Sequence, residues 1–557
     1  MLSQKSIKKN VIHKRFMLGA HPIIQFFIDK LNIDDCIGSY IHQDKRLKLS
    51  NEKALIVLIH NILTSPTPLY EIHDWAKIID DITLGLEEND ISFLNDDRIG
   101  KALNSFYNCK HKQVFFRLVL RAIKLFEIDC RQIHQDTTTV TFCGRYDGWN
   151  FSPFIKHGIN KDHRPDLKQL VLGMSVTADG SIPLLHNIYD GNKTDDRVHI
   201  DNHRQLRQLL QSADFIYVAD CKLATIDNLR KIDTCGGLFI SVMPKTWSEN
   251  ILFLEKIKNT TIKWSFLLSK PDNRKPKSKK DNYYKANGTY TTKSGYRLIW
   301  IKSSQKAELD SQIRQQNIHN AMKDLKAVQI KLNKYSLKTH EAITNKVEMI
   351  LKNYNCLDII DYNINENNKK ITVYKSAGRP KNGKSGKLKT IKYYTLSFEI
   401  NKDKVKKTAK TDGVFPLITN VKNYKAKRIL EIYKFQPFLE KRHSQIKTYQ
   451  KIAPVFLKKP ERVIAYLHMH VMALMVATLM ERQLRIAMKK QSIKYLNIYP
   501  EERKCKYPTT FDIVRLFKNV ERYEVIDHDK IYVFPAILNK IQKEVLQLLG
   551  IPISAYQ

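Results

Sequence analysis

The segment from Gln132 to Pro244 constrains the fold most, because its hydrophobic period changes in a fixed order. Three β-rich runs come first: QIHQDTTTVTF, LKQLVLGMSVTADG and SIPLLHNIYDGN, bounded by Gly, Asp and Asn. Runs of this length between turn formers read as strands, and three in succession most simply make an antiparallel meander. His199 to Leu210 then has helical spacing, FIYVAD is a short apolar strand, Leu223 to Ile232 is helical again, and LFISVMP is a buried strand.

The order β-β-β-α-β-α-β is that of an RNase H-like core, so the expected fold class is α/β, with a mixed five-stranded sheet and helices. A chain of 557 residues exceeds one ordinary core. The reading is an all-helical N-terminal DNA-binding domain over 1–125, the core's first part over 126–264, an α+β insertion domain over 265–422, the core's second part over 423–495 and a helical region over 496–557. In the first of these, Ser50 caps a helix over Ala54 to Leu63, Ser65-Pro66-Thr67-Pro68 breaks it, and a further helix runs from about Asp97 through Phe106. Arg98, Lys101, Lys110 and Lys112 suit a DNA-binding module and equally a bundle with a solvated basic face. The insertion opens on a lysine-rich loop, KPDNRKPKSKKDNYYKANG, and continues with long helices over 304–352 and strands over 371–418. Within it Ala377-Gly378-Arg379-Pro380-Lys381 is similar to the AT-hook core that binds the minor groove, and it reads otherwise as a basic turn.

Charge narrows the partner. With 94 Lys and Arg against 56 Asp and Glu, the net charge of +38 attracts polyanions. A membrane is the weaker choice, since the apolar stretches Ala54 to Ile59 and Val471 to Met480 fall short of the roughly 20 residues of a spanning helix and read as buried helices. The basic N-terminus has no apolar core with a cleavage site, so the expectation is a cytoplasmic protein, on the nucleoid when bound to DNA. Eight cysteines without a CxxC pair read as reduced thiols. Cys221 is not expected to bind metal, because hard cations prefer oxygen.

Phosphodiester cleavage and transfer need an activated oxygen nucleophile in line with a leaving oxygen, a task suited to two divalent ions held by carboxylates. Asp136 lies in the first strand and Asp220 ends FIYVAD, which such a sheet sets beside the first strand. Taken alone, an Asp at a strand end more often caps a following helix than binds metal. A third acid is offered by YKFQPFLEKRHSQIK, where Tyr433, Glu440 and Lys447 recur at seven-residue spacing. Pro437 favours a helix beginning near itself, so that Glu440 and Lys447 share a face while Tyr433 and Gln436 approach from the preceding segment. By itself such a mix is a solvated helix face.

These segments together resemble the DDE transposases of bacterial insertion sequences, in the group marked by Tyr-x2-Arg-x3-Glu-x6-Lys. The signature stands here as Tyr433, Gln436, Glu440 and Lys447, with Gln436 in place of Arg. The resemblance extends to both Asp segments, the loop HGINKDHRPDLKQ, the turn YDGNKTDD and the insertion, and the N-terminal helices are similar to those of the 1634-type subgroup. It implies a metal-binding catalytic triad of Asp136, Asp220 and Glu440 holding two Mg2+ or Mn2+ ions. It also implies DNA contacts by Tyr433, Gln436 and Lys447, with Lys441 or Arg442 supplying what the missing Arg would; Arg379, in the AT-hook-like segment, is a separate DNA-contact candidate. Asp190, Asp195, Asp196, Glu461 and Glu481 lie outside the signature and are set aside as third ligand. The implied reaction is cleavage at transposon ends and strand transfer into target DNA, by a homodimer assembled on terminal inverted repeats. A nuclease without strand transfer and a decayed copy that only binds DNA are the alternatives.

Overall fold

The three β-rich runs pair as an antiparallel meander, and the two later apolar runs extend it in parallel. The computed structural model describes residues 11–42, 44, 46–144, 146, 153–271, 280–373, 387–527 and 530–557. Arg379 and its AT-hook-like segment lie outside these residues.

In chain order the first elements are β1 (Val11–Met17), α1 (His21–Leu31), α2 (Ile33–Gly38), α3 (Asn51–Thr64), α4 (Ile72–Lys77), α5 (Asp96–Asn108) and α6 (His111–Phe126). The meander region holds β2 (Gln132–Phe142), β3 (Lys168–Thr177), β4 (Pro183–Tyr189), α7 (His199–Leu210), β5 (Ile216–Val218), α8 (Ile226–Thr234) and β6 (Leu238–Val242). Next come α9 (Ser248–Asn259), β7 (Trp264–Lys270), β8 (Asp281–Ala286), β9 (Tyr290–Thr291), β10 (Arg297–Ser303), α10 (Ser304–Ile330) and α11 (His340–Asn353). They are followed by β11 (Ile360–Val373), β12 (Lys387–Ile400), α12 (Lys402–Ala409), β13 (Val414–Thr419), α13 (Ala426–Tyr433), α14 (Gln436–Ser444) and α15 (Pro460–Lys490). The last are α16 (Thr510–Phe517), β14 (Glu521–Asp527), β15 (Lys530–Phe534) and α17 (Lys540–Leu549).

The chain forms two compact units, Met1–Ser241 with Ile429–Gln557, and Val242–Arg428. In the first, the strand order β4-β3-β2-β5-β6 makes a mixed sheet, compatible with an RNase H-like core. The N-terminal part is not all helical, for β1 pairs with β14 in a three-stranded antiparallel sheet completed by β15. That pairing joins the two ends of the chain, so neither end is a separate helical domain. Ser50 caps α3 as its sequence suggests, accepting from the Lys53 N–H. Arg98 belongs to no basic face: it is buried, and its guanidinium donates to the Leu49 carbonyl at 2.9 Å and to Asn51, fastening α5 to α3.

Helix α15 runs through this unit, packed on α1, α3, α5, α16, α17 and β4. Its apolar run is longer than the sequence reading allowed. By length and composition it is enough to cross a membrane, with a mean hydropathy of 1.8, yet 94% of that window is buried inside the protein. A helix apolar on all sides satisfies its surroundings by being enclosed, and here protein encloses it.

The second unit holds an antiparallel sheet in the order β13-β10-β8-β7, with β9 added to β10, and a separate two-stranded ribbon, β11–β12. The ribbon's base packs on α10 and α11 through Leu325, Val328, Val347, Leu351 and Leu396. The unit starts at Val242 rather than residue 265 because α9 belongs to it: Phe253 stacks on Trp300 of β10 with ring centroids 3.8 Å apart.

Candidate active site

Strand register brings the first two acids together. In the parallel pair β2–β5, His134 stands opposite Val218. Asp136 lies two residues further along β2 and Asp220 two residues past the end of β5, near enough for the charge of Asp136 to act on it. Past the end of β5, Asp220 accepts at Oδ1 from the Lys222 N–H at 3.0 Å, while its carbonyl accepts from the Ser241 hydroxyl at 2.6 Å.

A loop between β2 and β3 delivers a cation to this pair. The loop is held by a bridge between Lys156 and Gln169, by the Gln169 amide donating to the Gly191 carbonyl at 2.7 Å, and by the Phe154 N–H donating to Asp190 at 2.9 Å. A side chain at Gly191 would overlap the carbonyl oxygens of Gln169 and Lys156, so the close approach requires glycine there. From this loop Lys161 Nζ lies 3.4 Å from Asp136 Oδ1 and 3.3 Å from Asp195 Oδ2, and donates to the Thr137 carbonyl at 2.7 Å. Asp195 also accepts from the Thr137 hydroxyl at 2.6 Å. The turn after β4, set aside on sequence, thus brings a third carboxylate to the site.

Helix α14 closes the other side. It starts at Gln436 with Pro437 in its first turn, which separates it from α13 and Tyr433. Gln436 is buried: its amide donates to the Gln135 carbonyl at 3.0 Å and its oxygen meets His134 Nδ1 at 3.0 Å, pinning the helix to β2. His443 Nδ1 lies 3.5 Å from Asp136 Oδ2. Glu440 is exposed three residues earlier, on the neighbouring turn of the same helix face. Arg442 is buried against Glu481 at 2.7 Å and donates to the Gly180 carbonyl at 2.9 Å. Gln436 and Arg442, both expected at DNA, are therefore spent inside the protein, whereas Lys441 is exposed over the Phe438 ring. Past α14 the helix widens to a π-turn, Gln445–Tyr449, and Lys447 in it pairs with both oxygens of Asp162 at 2.7 Å.

The electrostatics divide the acids. Burial works to raise the Asp136 carboxyl, but His443, Lys161 and the Thr137 N–H outweigh it and hold it below the usual carboxylate range. Burial raises the Asp220 carboxyl, and the charges of Asp136 and Asp195 add to that, against the Lys222 N–H and Lys161. The Tyr433 hydroxyl is raised well above its ordinary value by burial and then by Asp220, Cys221 and Glu440, so it feels both ends of the predicted triad. Among the described residues no three His, Cys, Asp or Glu side chains are spaced to hold one ion. In kind the donors fit hard divalent cations, for they are carboxylates, with the Lys161 ammonium between Asp136 and Asp195.

Comparison with known proteins adds little. A family model described as a domain of unknown function (DUF4277) matches residues 14–120. No curated protein matches the chain. Among solved structures, the cryo-EM structure of the piggyBac transposase synaptic complex with hairpin DNA is similar at a TM-score of 0.29 and 11% identity, over 50% of this chain and 60% of that one. The chain therefore spans less than two thirds of that protein.

Sequence reasoning missed Lys161 and His443 and set Asp195 aside. Lys161 and Asp195 lie in HGINKDHRPDLKQ and YDGNKTDD, the segments flagged by resemblance, and His443 is one helical turn past Glu440. None carries a pattern of its own; their roles arise only when strand register and loop closure bring them together.

Proposed function

We propose that the chain is a DDE-type transposase, of the Tyr-Arg-Glu-Lys group and its 1634-type subgroup, on an RNase H-like core. The observation that carries this reading is the pairing of β2 with β5 in parallel, which sets Asp136 on β2 near Asp220 just past the end of β5, with α14 brought to the same site through His443 and Asp136. Asp136, Asp220 and Glu440 would hold two Mg2+ or Mn2+ ions, with Asp195 adjoining them. Such ions supply an activated water or 3′-hydroxyl and stabilise the leaving oxygen.

The protein's own part is positioning. The sheet fixes Asp136 and Asp220, Gln436 holds α14 on β2, and Lys161 and Lys447 are cations tethered at the rim by carboxylates, where DNA phosphates would compete for them. Tyr433 and Lys441 are the further DNA contacts in this reading. The same site serves end cleavage and the later attack of the freed 3′-hydroxyl on target DNA, with two protomers holding two ends.

Asp136→Asn and Glu440→Gln should each abolish cleavage of labelled end DNA in Mg2+ while leaving DNA affinity within a few fold. Cleavage that persists in either variant contradicts the assignment of that residue. Cleavage without joined product returns the chain to the nuclease class.

A further inference from the structure

The ribbon β11–β12 outruns the layer that covers it. Up to Tyr394 its outer edge is satisfied by side chains from the last turn of α10 and just after it: Asn333 bonds the Tyr394 N–H and carbonyl at 2.8 and 2.9 Å, and Gln329 donates to the Leu396 carbonyl at 2.7 Å. Beyond that point the ladder continues in register, Asn367 opposite Tyr393 through Thr372 opposite Leu388. Nearly every side chain of this stretch is exposed; Ile371 and Ile391 are half-buried. A two-stranded ribbon without packing is marginal in water, so one kept this long needs a partner.

Its chemistry indicates which. The stretch over 367–372 and 388–393 contains Lys369, Lys370, Lys389 and Lys392 and no acidic residue. Lys392 is held by Glu366 at 2.6 Å, while the other three have no acidic partner among the described residues. Register puts Lys369 and Lys389 on one face, with Lys370 on the other. Asn367 and Asn368 add amides that can donate and accept. Cations on both faces suit a partner that surrounds the ribbon with negative charge, as the two backbones flanking a groove do. Strands about 4.8 Å apart make a ribbon that the roughly 12 Å major groove of B-DNA admits. Six residues per strand reach roughly 20 Å along it. The A-form major groove of duplex RNA is too narrow for side chains to read.

We propose that the distal part of β11–β12 is a groove-binding arm that lies in the major groove of duplex DNA. The proposal rests on the transposase reading only in taking DNA as the polyanion. It adds a contact surface separate from the carboxylate site.

The test uses the full chain with Lys369→Gln, Lys370→Gln and Lys389→Gln combined. Binding to duplex DNA is followed by fluorescence anisotropy across salt, guanine N7 protection by dimethyl sulfate footprinting, and end cleavage alongside. The triple variant is expected to bind roughly tenfold or more weakly near ~100 mM salt, to lose about two to three from the salt slope, and to lose N7 protection, with unchanged thermal unfolding. A Thr390→Cys chain carrying an aryl-azide crosslinker should label bases of duplex DNA, independently of any folding defect. Unchanged affinity and N7 protection, with or without aggregation of the variant, overturns the arm, since the lysines would then serve only to keep an exposed edge from pairing. Equal weakening on duplex RNA overturns the major-groove assignment. Loss of N7 protection in the variant while the wild type never cleaves ends leaves the arm standing and removes the active-site reading. Intact cleavage with unchanged protection does the reverse.

Discussion

Asp136 on β2 and Asp220 just past β5 are shifted in opposite directions by their surroundings. Asp136 is depressed by its partners, so its ionised form contributes stability that is present above the ordinary carboxylate range and lost as pH falls through its folded value. Asp220 is raised, so its stabilised form is the protonated one, and that contribution is lost as pH rises through its folded value. Near neutral pH with chelator present, Asp136→Asn should therefore lower the thermal midpoint and Asp220→Asn should raise it. Calorimetry checks both, and shifts of the same sign would refute the electrostatic assignment. A second pair separates Arg442 from Lys441. Removing Arg442 leaves Glu481 buried with fewer partners, so Arg442→Met should cost about 3 kcal/mol in urea unfolding. Lys441→Ala, at an exposed site, should stay within about 0.5 kcal/mol and act on DNA affinity instead.

At the scale of elements, the loop of Lys161 and the helix of Glu440 are the parts that must close on the sheet. Gly191 permits the first: Gly191→Ala forces a Cβ onto two backbone carbonyls and should cost roughly 1–3 kcal/mol, with cleavage falling because Lys161 shifts. Thermal unfolding and end cleavage report the two effects, and a variant normal in both would mean the loop does not depend on this contact. The order of elements from β2 to β6 was legible in the sequence because strand and helix periods are local, and Pro437 marked the start of α14 for the same reason. What was not legible depended on distance in the chain. The pairing of β1 with β14 spans nearly the whole sequence, and no local pattern announces it. Gln436 and Arg442 look like surface residues on a polar helix, yet one is taken up by Gln135 and His134 and the other by Glu481. Asp195 looked like a turn residue until Thr137 and Lys161 met it.

For the whole molecule, a charge of +38 over 557 residues makes non-specific DNA binding the expected background to any specific activity. Affinity for random duplex should fall by roughly a thousandfold or more between about 50 and 200 mM salt, as it does for proteins making 6–10 phosphate contacts. A nearly flat dependence would argue against a broad basic footprint. Binding alone does not distinguish a transposase from a nuclease or a decayed copy. The decisive measurement incubates the chain with labelled DNA from the ends flanking its gene, a supercoiled target plasmid and Mg2+, and resolves the products on a denaturing gel. Label should become covalently joined to plasmid DNA with the wild-type chain, and this product should be lost in Asp136→Asn, Asp220→Asn and Glu440→Gln. Cut ends that never join, or joining that survives all three substitutions, would contradict the transposase reading.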